Sequence, residues 1–190
     1  GCVALTSVTI PANIGQIESY TFQNCAGLTS VTIPAGIANI GDAAFQGCTG
    51  LTSVSIPEGV AQIGRAAFEG CTGVTSVNIP STVKAIVNSC FEGCTSLTSL
   101  SVADGNPVYD SRNNCNAIIE TYVEKKQGET VTHYKLVAGC KSTVIPDGVT
   151  EIGTSAFANC TGLTDIAIPA SVTVIGVSAF QNTGLTSIVI

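Results

Sequence analysis

The chain has 190 residues and a mass of 19.2 kDa, which is ample for a single domain with a substantial apolar core. Hydrophobic residues make up 45% of it and charged residues 11%, about half the usual charged share. A net charge of −6 argues against nucleic acid or an anionic membrane as a partner. Thr, Ser and Gly interrupt every apolar run, so we expect no membrane-spanning helix.

A unit of 23 residues recurs along the chain. One copy is 28–34 (LTSVTIP), followed by Ile40-Gly41, Phe45 and Cys48, and the next copy repeats this pattern from Leu51. All six phenylalanines occupy one position of the unit: Phe22, Phe45, Phe68, Phe91, Phe157 and Phe180. A fixed period of this length is typical of solenoids, in which each unit covers the apolar edges of its neighbours.

Each unit predicts a strand followed by a corner. Val31 and Ile33 alternate with Thr32, which indicates a strand with one apolar and one hydroxyl face. Pro34 has no N–H to donate and should end the strand. At the corner that follows, Gly41 would permit a positive φ.

The second half of the unit predicts a short helical turn. Segment 42–45 (DAAF) combines alanine, which favours helix, with an aspartate that can cap it. Gly47 should end the turn, and Cys48 should point into the core. We therefore predict an α/β solenoid: a right-handed parallel strand ladder with short helical turns on the other side.

The pattern L-x-x-V-x-I resembles the strand half of leucine-rich repeats. With I-P after the strand, I-G at the corner and A-F-x-x-C behind, the unit is similar to the BspA-like leucine-rich repeats. The resemblance covers 1–102 and 142–190, and segment 106–121 resembles the irregular unit of such proteins. It implies a bacterial cell-surface or secreted protein, often an adhesin that contacts host matrix proteins or other bacteria. It also implies a non-enzymatic role and no cofactor.

An irregular insert, residues 103–141, interrupts the repeats of what we expect to be a single domain, 1–190. Segments 117–123 and 131–137 are strand-like and flank 126–129, which predicts a β-hairpin. Five of the seven basic residues fall in this insert: Arg112, Lys125, Lys126, Lys135 and Lys141. The hairpin is either a solvated protrusion of mixed charge or a binding element. The chain also starts and ends within a unit, so we expect it to be part of a longer array.

The nine cysteines admit more than one interpretation. With one histidine and no C-x-x-C motif, a zinc site is not predicted. The ladder at Cys2, Cys25, Cys48, Cys71 and Cys94 suits small buried side chains with free thiols. Disulfides between neighbouring rungs stay open, because ~5 Å lies within bridging distance.

No residue pattern predicts catalysis. His133 is the single histidine, and we expect it to be exposed on the hairpin rather than to act as a general base. Asp104 and Asp110 do not have the spacing of an EF-hand and are interpreted as turn residues. A carboxylate pair for glycoside hydrolysis is not excluded by the sequence, but no pair stands out.

The remaining candidate surface is the hydroxyl face of the strands. In a solenoid it lies on the concave side, with strands about 4.8 Å apart, and seven rungs would give a surface of about 30 Å. Such a width suits a protein or a glycan better than a small metabolite. The alternative is that Thr is there for strand propensity, in a passive spacer or stalk. The predicted partner-binding residues are Thr29, Ser30, Thr32, Thr52, Ser53, Ser55, Thr75, Ser76 and Asn78 on this face, and Tyr109, Arg112, Tyr122, Lys125, Lys126 and His133 in the insert.

Overall fold

The computed structural model describes residues 1–188 and shows a parallel β-solenoid of about seven coils with a spacing of about 23 residues. The predicted solenoid is therefore confirmed. In chain order its strands are β1 (Ser7–Thr9), β2 (Gln16–Ile17), β3 (Ser30–Thr32), β4 (Asn39–Ile40), β5 (Gln62–Ile63), β6 (Ser76–Ile79), β7 (Ala85–Ile86), β8 (Ser99–Val102), β9 (Tyr109–Asp110), β10 (Ala117–Lys126), β11 (Glu129–Gly139), β12 (Glu151–Ile152) and β13 (Val174–Ile175).

The first strand ladder carries the hydroxyl face. It consists of β1 paired with β3, a bridge from Thr32 to Ser55 in the third coil, and β6 paired with β8. Every pairing is parallel and joins residues 23 apart, as in Val77 with Leu100. Val77 and Ile79 are buried whereas Ser76 and Asn78 are exposed, because successive side chains of a strand point to opposite faces.

The second ladder runs through the isoleucine corner, where β2, β4, β5 and β7 pair in parallel and stack Ile17, Ile40, Ile63 and Ile86. Gly41 is needed here for close approach rather than for a positive φ. A Cβ at this position would lie 2.5 Å from the backbone nitrogen of Ser19 in the preceding coil. The expected corner therefore forms, but close packing between coils explains its glycine.

The predicted helical turn at 42–45 is wrong. Ala43 has φ +52°, and its N–H donates to the carbonyl of Arg65 in the next coil at 2.8 Å. The N–H groups of Phe45 and Gly47 likewise reach carbonyls one coil on, at 2.8 and 2.7 Å. These donors point along the solenoid axis instead of back along the chain, so tight turns replace the helix. Within residues 1–188, the 3₁₀ turn Arg112–Asn114 is the helical element.

An aromatic stack fills the core behind the ladders. The rings of Phe22, Phe45, Phe68 and Phe91 lie 5.3, 5.3 and 5.7 Å apart from one to the next, all in stacked orientation. Beside these rings, three cysteine thiols each contact the phenylalanine carbonyl of the preceding coil. The Cys71 Sγ lies 3.1 Å from the Phe45 oxygen, and Cys48 and Cys94 make equivalent bonds of 3.0 and 3.2 Å.

The predicted hairpin is confirmed and is longer than expected, because β10 and β11 pair from 117/139 to 126/129. Gln127 and Gly128 form its two-residue turn with φ of +52° and +89°, as a type I′ turn requires. Its base belongs to the solenoid. Strand β11 pairs in parallel with β12, placing Leu136 beside Ile152, and β10 pairs with β9. The insert thus forms a separate five-stranded sheet with the corner strands β12 and β13 of the last coils.

The insert also interrupts the aromatic stack. Gly139 donates its N–H to the Ala156 carbonyl at 2.9 Å, as Phe68 does to Cys90 in the regular coils. Gly139 thus stands where a regular coil has phenylalanine, and a Cβ there would lie 2.1 Å from the Phe157 ring. Phe157 and Phe180 form a second stack with centroids 5.2 Å apart.

Candidate partner-binding surface

The hydroxyl face is a continuous polar surface on the first ladder. All nine residues predicted there are exposed, while the residues that alternate with them along the strands are buried. No charged side chain belongs to this set of nine, so the face is neutral. Within the described residues, β8 is the last strand of this ladder. The ladder therefore spans five coils, about 20 Å at the usual strand spacing, instead of the expected seven.

Several hydroxyls of this face are used within the solenoid. Thr29 donates its Oγ1 hydrogen to the Thr6 carbonyl at 3.1 Å, and Thr98 donates in the same way to Thr75 at 3.2 Å. Ser101 donates to the Asn78 Oδ1 at 2.9 Å. Thr29 and Thr98 belong to a threonine column that thus reinforces the ladder. The serine column that follows it, which includes Ser30 and Ser99, shows no such bond among the described contacts.

A shallow groove of about 350 Å³ crosses three of these strands. Its polar lining consists of Ser55, Ser76, Asn78, Ser99 and Ser101, together with the strand backbone at Val54, Ile56 and Val77, whose side chains are buried on the other face. Ser101 also borders a neighbouring polar cleft of about 400 Å³, formed by the loop after β8 and the 3₁₀ turn. Three of the predicted partner-binding residues, Ser55, Ser76 and Asn78, thus line this groove.

The residues predicted in the insert divide among three environments. Lys125 and Lys126 are exposed at the hairpin tip. Arg112 is held by Asp110, with its Nη2 2.5 Å from the carboxylate, and lies 4.1 Å from the Tyr134 ring centroid. Partial burial raises the pKa of Asp110, but the hydrogen bonds and charge of Arg112 outweigh burial and lower that pKa.

Two insert residues lie deeper than expected. Tyr109 is only 4% exposed, and its hydroxyl accepts a hydrogen bond from the Ile86 N–H at 2.8 Å. It supports β7 and does not belong to a partner surface in this structure. The His133 side chain is 22% exposed and stacks on Tyr122 with ring centroids 4.9 Å apart, so the expectation of an exposed histidine is wrong.

The cysteines show the chemistry of buried thiols. None of the nine, all of which lie in the described part of the chain, forms a disulfide, and only Cys2 is exposed. Burial raises the pKa of Cys48 to about 11 and that of Cys94 to about 12. Across residues 1–188, no group of three or more His, Cys, Asp or Glu side chains could hold a metal ion. In the same residues, no helix is long and apolar enough to cross a membrane.

Stacked coils of 23 residues with a polar strand face define a leucine-rich repeat solenoid. The family model described as a BspA type leucine rich repeat region matches 1–117 and 132–190 in six copies. The chain therefore belongs to the BspA-type leucine-rich repeat family, which supports a role as a protein-interaction module. The unmatched stretch, 118–131, comprises most of β10, the hairpin turn and the start of β11.

Solved structures of bacterial leucine-rich repeat proteins are similar to this chain. A leucine rich cell surface protein from Faecalibacterium prausnitzii A2-165 is 28% identical, with a TM-score of 0.72 over 100% of this chain and 55% of its own. A leucine-rich repeat protein from Bacteroides ovatus ATCC 8483 is 25% identical, with a TM-score of 0.65 over 97% of this chain and 43% of its own.

The pneumococcal vaccine antigen PcpA shares the fold, with a TM-score of 0.74 at 19% identity over 97% of this chain and 50% of its own. The chain thus spans about half the length of the solved structures it matches. No curated protein matches it.

The groove reaches Ser99 and Ser101 in the fifth coil, which the 23-residue period places on the same hydroxyl face. Sequence reasoning missed one feature of this surface. The polar cleft beyond Ser101 arises from the fold of the insert, which has no period to extrapolate.

Proposed function

We propose that this chain is a non-enzymatic interaction module of a bacterial cell-surface or secreted protein, with 1–190 forming one repeat domain. The proposed location is supported by the similarity to the F. prausnitzii protein, which is a cell surface protein. The module would mediate adhesion to a host matrix or surface protein, or to a glycan.

The observation that carries the proposal is the groove on the hydroxyl face. Ser55, Ser76 and Asn78 present hydroxyl and amide groups along it. Both donors and acceptors are available there, and no charge has to be desolvated on binding. The groove is open and shallow, which suits an extended segment of a large partner better than an enclosed metabolite.

A passive spacer is the second candidate function, and the threonine column favours it. The hydroxyls of Thr29 and Thr98 both donate to carbonyls of the preceding coil, at 3.1 and 3.2 Å. These bonds stabilise the stack without any partner. A spacer needs nothing else from this face.

A binding screen with matched variants separates the two functions. The wild-type chain is tested against purified extracellular-matrix proteins and a glycan array, together with Ser76→Arg and Asn78→Arg. Gln62→Arg is the control, because Gln62 is equally exposed but lies on the second ladder. We expect each groove variant to weaken binding at least ten-fold, about 1.4 kcal/mol, and the control to bind normally.

The outcomes differ for each hypothesis. If no matrix protein or glycan binds the wild-type chain, adhesion by this module is refuted and the spacer is favoured. If Gln62→Arg weakens binding as much as Ser76→Arg does, the groove is not the binding site. Charge reversal at Lys125 and Lys126 reports separately on the hairpin tip, and a larger loss there than in the groove would move the site to the insert.

A further inference from the structure

His133 lies between two parts of the molecule, the hairpin and the coil that contains β12. Its Nε2 is 3.4 Å from the Glu124 Oε2 of the hairpin, and its Nδ1 is 3.9 Å from the Glu151 Oε1 of β12. The Nε2 atom is buried and has no hydrogen-bond partner. A neutral imidazole has a hydrogen on only one of its two ring nitrogens, so one of them faces a carboxylate without a proton to donate.

Glu151 connects the same two parts from the other side. It belongs to β12, and it accepts a hydrogen bond from the Tyr122 hydroxyl of β10. Tyr122 and His133 are cross-strand partners whose rings stack at an interplanar angle of 11°. The hairpin therefore contacts the coil through one carboxylate shared by a phenol and an imidazole.

The charged groups around the imidazole are mostly acidic. Glu120 and Glu124 share its face on β10, Lys135 shares it on β11, and Glu151 faces it from β12. The His133 imidazole thus faces three carboxylates and one ammonium group. A positive charge on His133 would meet two carboxylates at close range, whereas the neutral ring meets them without compensation.

We propose that His133 is a pH-responsive latch that holds the hairpin against the β12 coil when its imidazole is protonated. The latch closes in mildly acidic medium and loosens at neutral to basic pH, because histidine is the side chain that ordinarily changes charge between these conditions. Tyr122 does not take part in the titration. Its hydrogen bond to Glu151, with burial and the nearby carboxylates, raises its pKa to about 12, so it remains a donor throughout.

The latch acts on the outer part of the hairpin, residues 122–133. Beyond Thr121, whose N–H donates to the Val108 carbonyl at 2.9 Å, β10 has no further pairing with β9. Strand β11 pairs with β12 at Lys135 and Leu136, and its outermost backbone contact with that coil is at Tyr134, which exchanges hydrogen bonds with Thr150 at 2.8 and 3.0 Å. The outer strands are therefore held mainly by each other and by the His133–Tyr122–Glu151 contact, which makes their opening sensitive to that contact. This inference does not depend on the proposed binding function.

Amide hydrogen exchange tests the latch directly. Protection factors, corrected for the intrinsic pH dependence of exchange, are measured for the amides of 121–126 and 130–134 at pH 5.5 and 7.5. We expect about three-fold higher protection at pH 5.5, the size of one or two partly exposed ion pairs. The amides of 64–68 in a regular coil, far from any histidine, should show no such ratio.

Three variants decide the cause. His133→Phe keeps a ring to stack on Tyr122 but removes the charge, and should abolish the pH effect. Glu151→Gln keeps an acceptor for the Tyr122 hydroxyl but removes one negative charge, and should reduce the effect to about half. Glu129→Gln removes the same charge at the exposed hairpin tip and should leave the effect intact.

Two results would overturn the proposal. One is an equal protection ratio in the wild type and in His133→Phe. The other is a loss in Glu129→Gln as large as that in Glu151→Gln, which would indicate net charge instead of the latch. If His133→Phe does not fold, the comparison of Glu151→Gln with Glu129→Gln still decides between them.

Discussion

Replacing Phe68 with alanine tests how far the aromatic stack stabilises the solenoid. Phe68 is 1% exposed and lies between two rings, 5.3 Å from Phe45 and 5.7 Å from Phe91. The cavity left by the ring cannot collapse easily, because the backbones of the flanking coils are tied together. The Phe45 and Phe68 N–H groups donate to the next coils at 2.8 and 2.9 Å.

The expected cost is near the upper end for a buried phenylalanine. A Phe→Ala change in a core costs about 3–5 kcal/mol, and loss of two stacking partners favours the top of that range. Phe22 is the matched control, since it occupies the same position in the unit but is only half-buried and stacks on Phe45 alone. We expect Phe22→Ala to cost about 2 kcal/mol, roughly half as much.

Urea unfolding followed by far-UV circular dichroism measures both values. The free energies of unfolding of Phe68→Ala, Phe22→Ala and wild type are compared. Where the dependence of the unfolding free energy on urea concentration is the same, a change in the midpoint reports a change in stability. An equal cost for the two variants would refute the reasoning, because it would mean that enclosure by neighbouring coils adds nothing. A cost below about 2 kcal/mol for Phe68→Ala would mean that the coils close over the cavity.

Two further predictions concern the insert and the thiols. Gly139→Ala should destabilise the fold by about 1–3 kcal/mol in the same urea assay, because its Cβ would lie 2.1 Å from the Phe157 ring, while Gly15→Ala, with nothing within 4 Å, should be nearly neutral. At pH 8 without reductant, a thiol reagent should modify one cysteine in the native protein, the exposed Cys2, and all nine in denaturant. Burial raises the pKa of seven of the other thiols, that of Cys48 to about 11, so the native reactivity of Cys48 should rise only as the pH approaches that value. Fewer than about seven thiols in denaturant would show that rungs are bridged by disulfides.

The solenoid was predictable because the same residues recur every 23 positions along most of the chain. The 23-residue recurrence of Leu28, Ile33 and Phe45 specifies which residues stack, and the parallel register of both ladders follows it. The hairpin was predictable for a local reason, since two strand-like runs flank Gln127-Gly128, which takes the positive φ angles of a tight turn.

The turn at Ala43 was mispredicted because propensity describes an isolated segment. Alanine favours helix when its N–H bonds back along its own chain. In the solenoid, the carbonyl of Arg65 one coil on accepts that N–H instead, and Ala43 takes a left-handed conformation. The sequence does indicate a left-handed turn at one position. Every regular unit has glycine or asparagine at the position of Gly47, and these residues adopt the positive φ that the end of the turn requires.

The burial of Tyr109 and His133 depends on how the insert folds back onto the solenoid. Tyr109 fills the space beneath β7 that a regular isoleucine corner would occupy, and its hydroxyl satisfies the free N–H of Ile86. His133 is covered by Tyr122 across the hairpin and by Glu151 from β12. Neither contact repeats with a period, so the sequence pattern could not locate it.

The place where the insert enters the solenoid bears on what the hydroxyl face can bind. The first ladder ends with β8, so its neutral surface extends about 20 Å from β1 to Ser101. At Ser101 the groove meets the polar cleft bordered by Asp104, Asp110 and Arg112. A partner that extends beyond the groove past Ser101 must therefore pass from an uncharged surface to a charged one. If the proposed function holds, we expect the repeats to supply general affinity and the insert to discriminate between partners, because the side chains of the insert do not repeat.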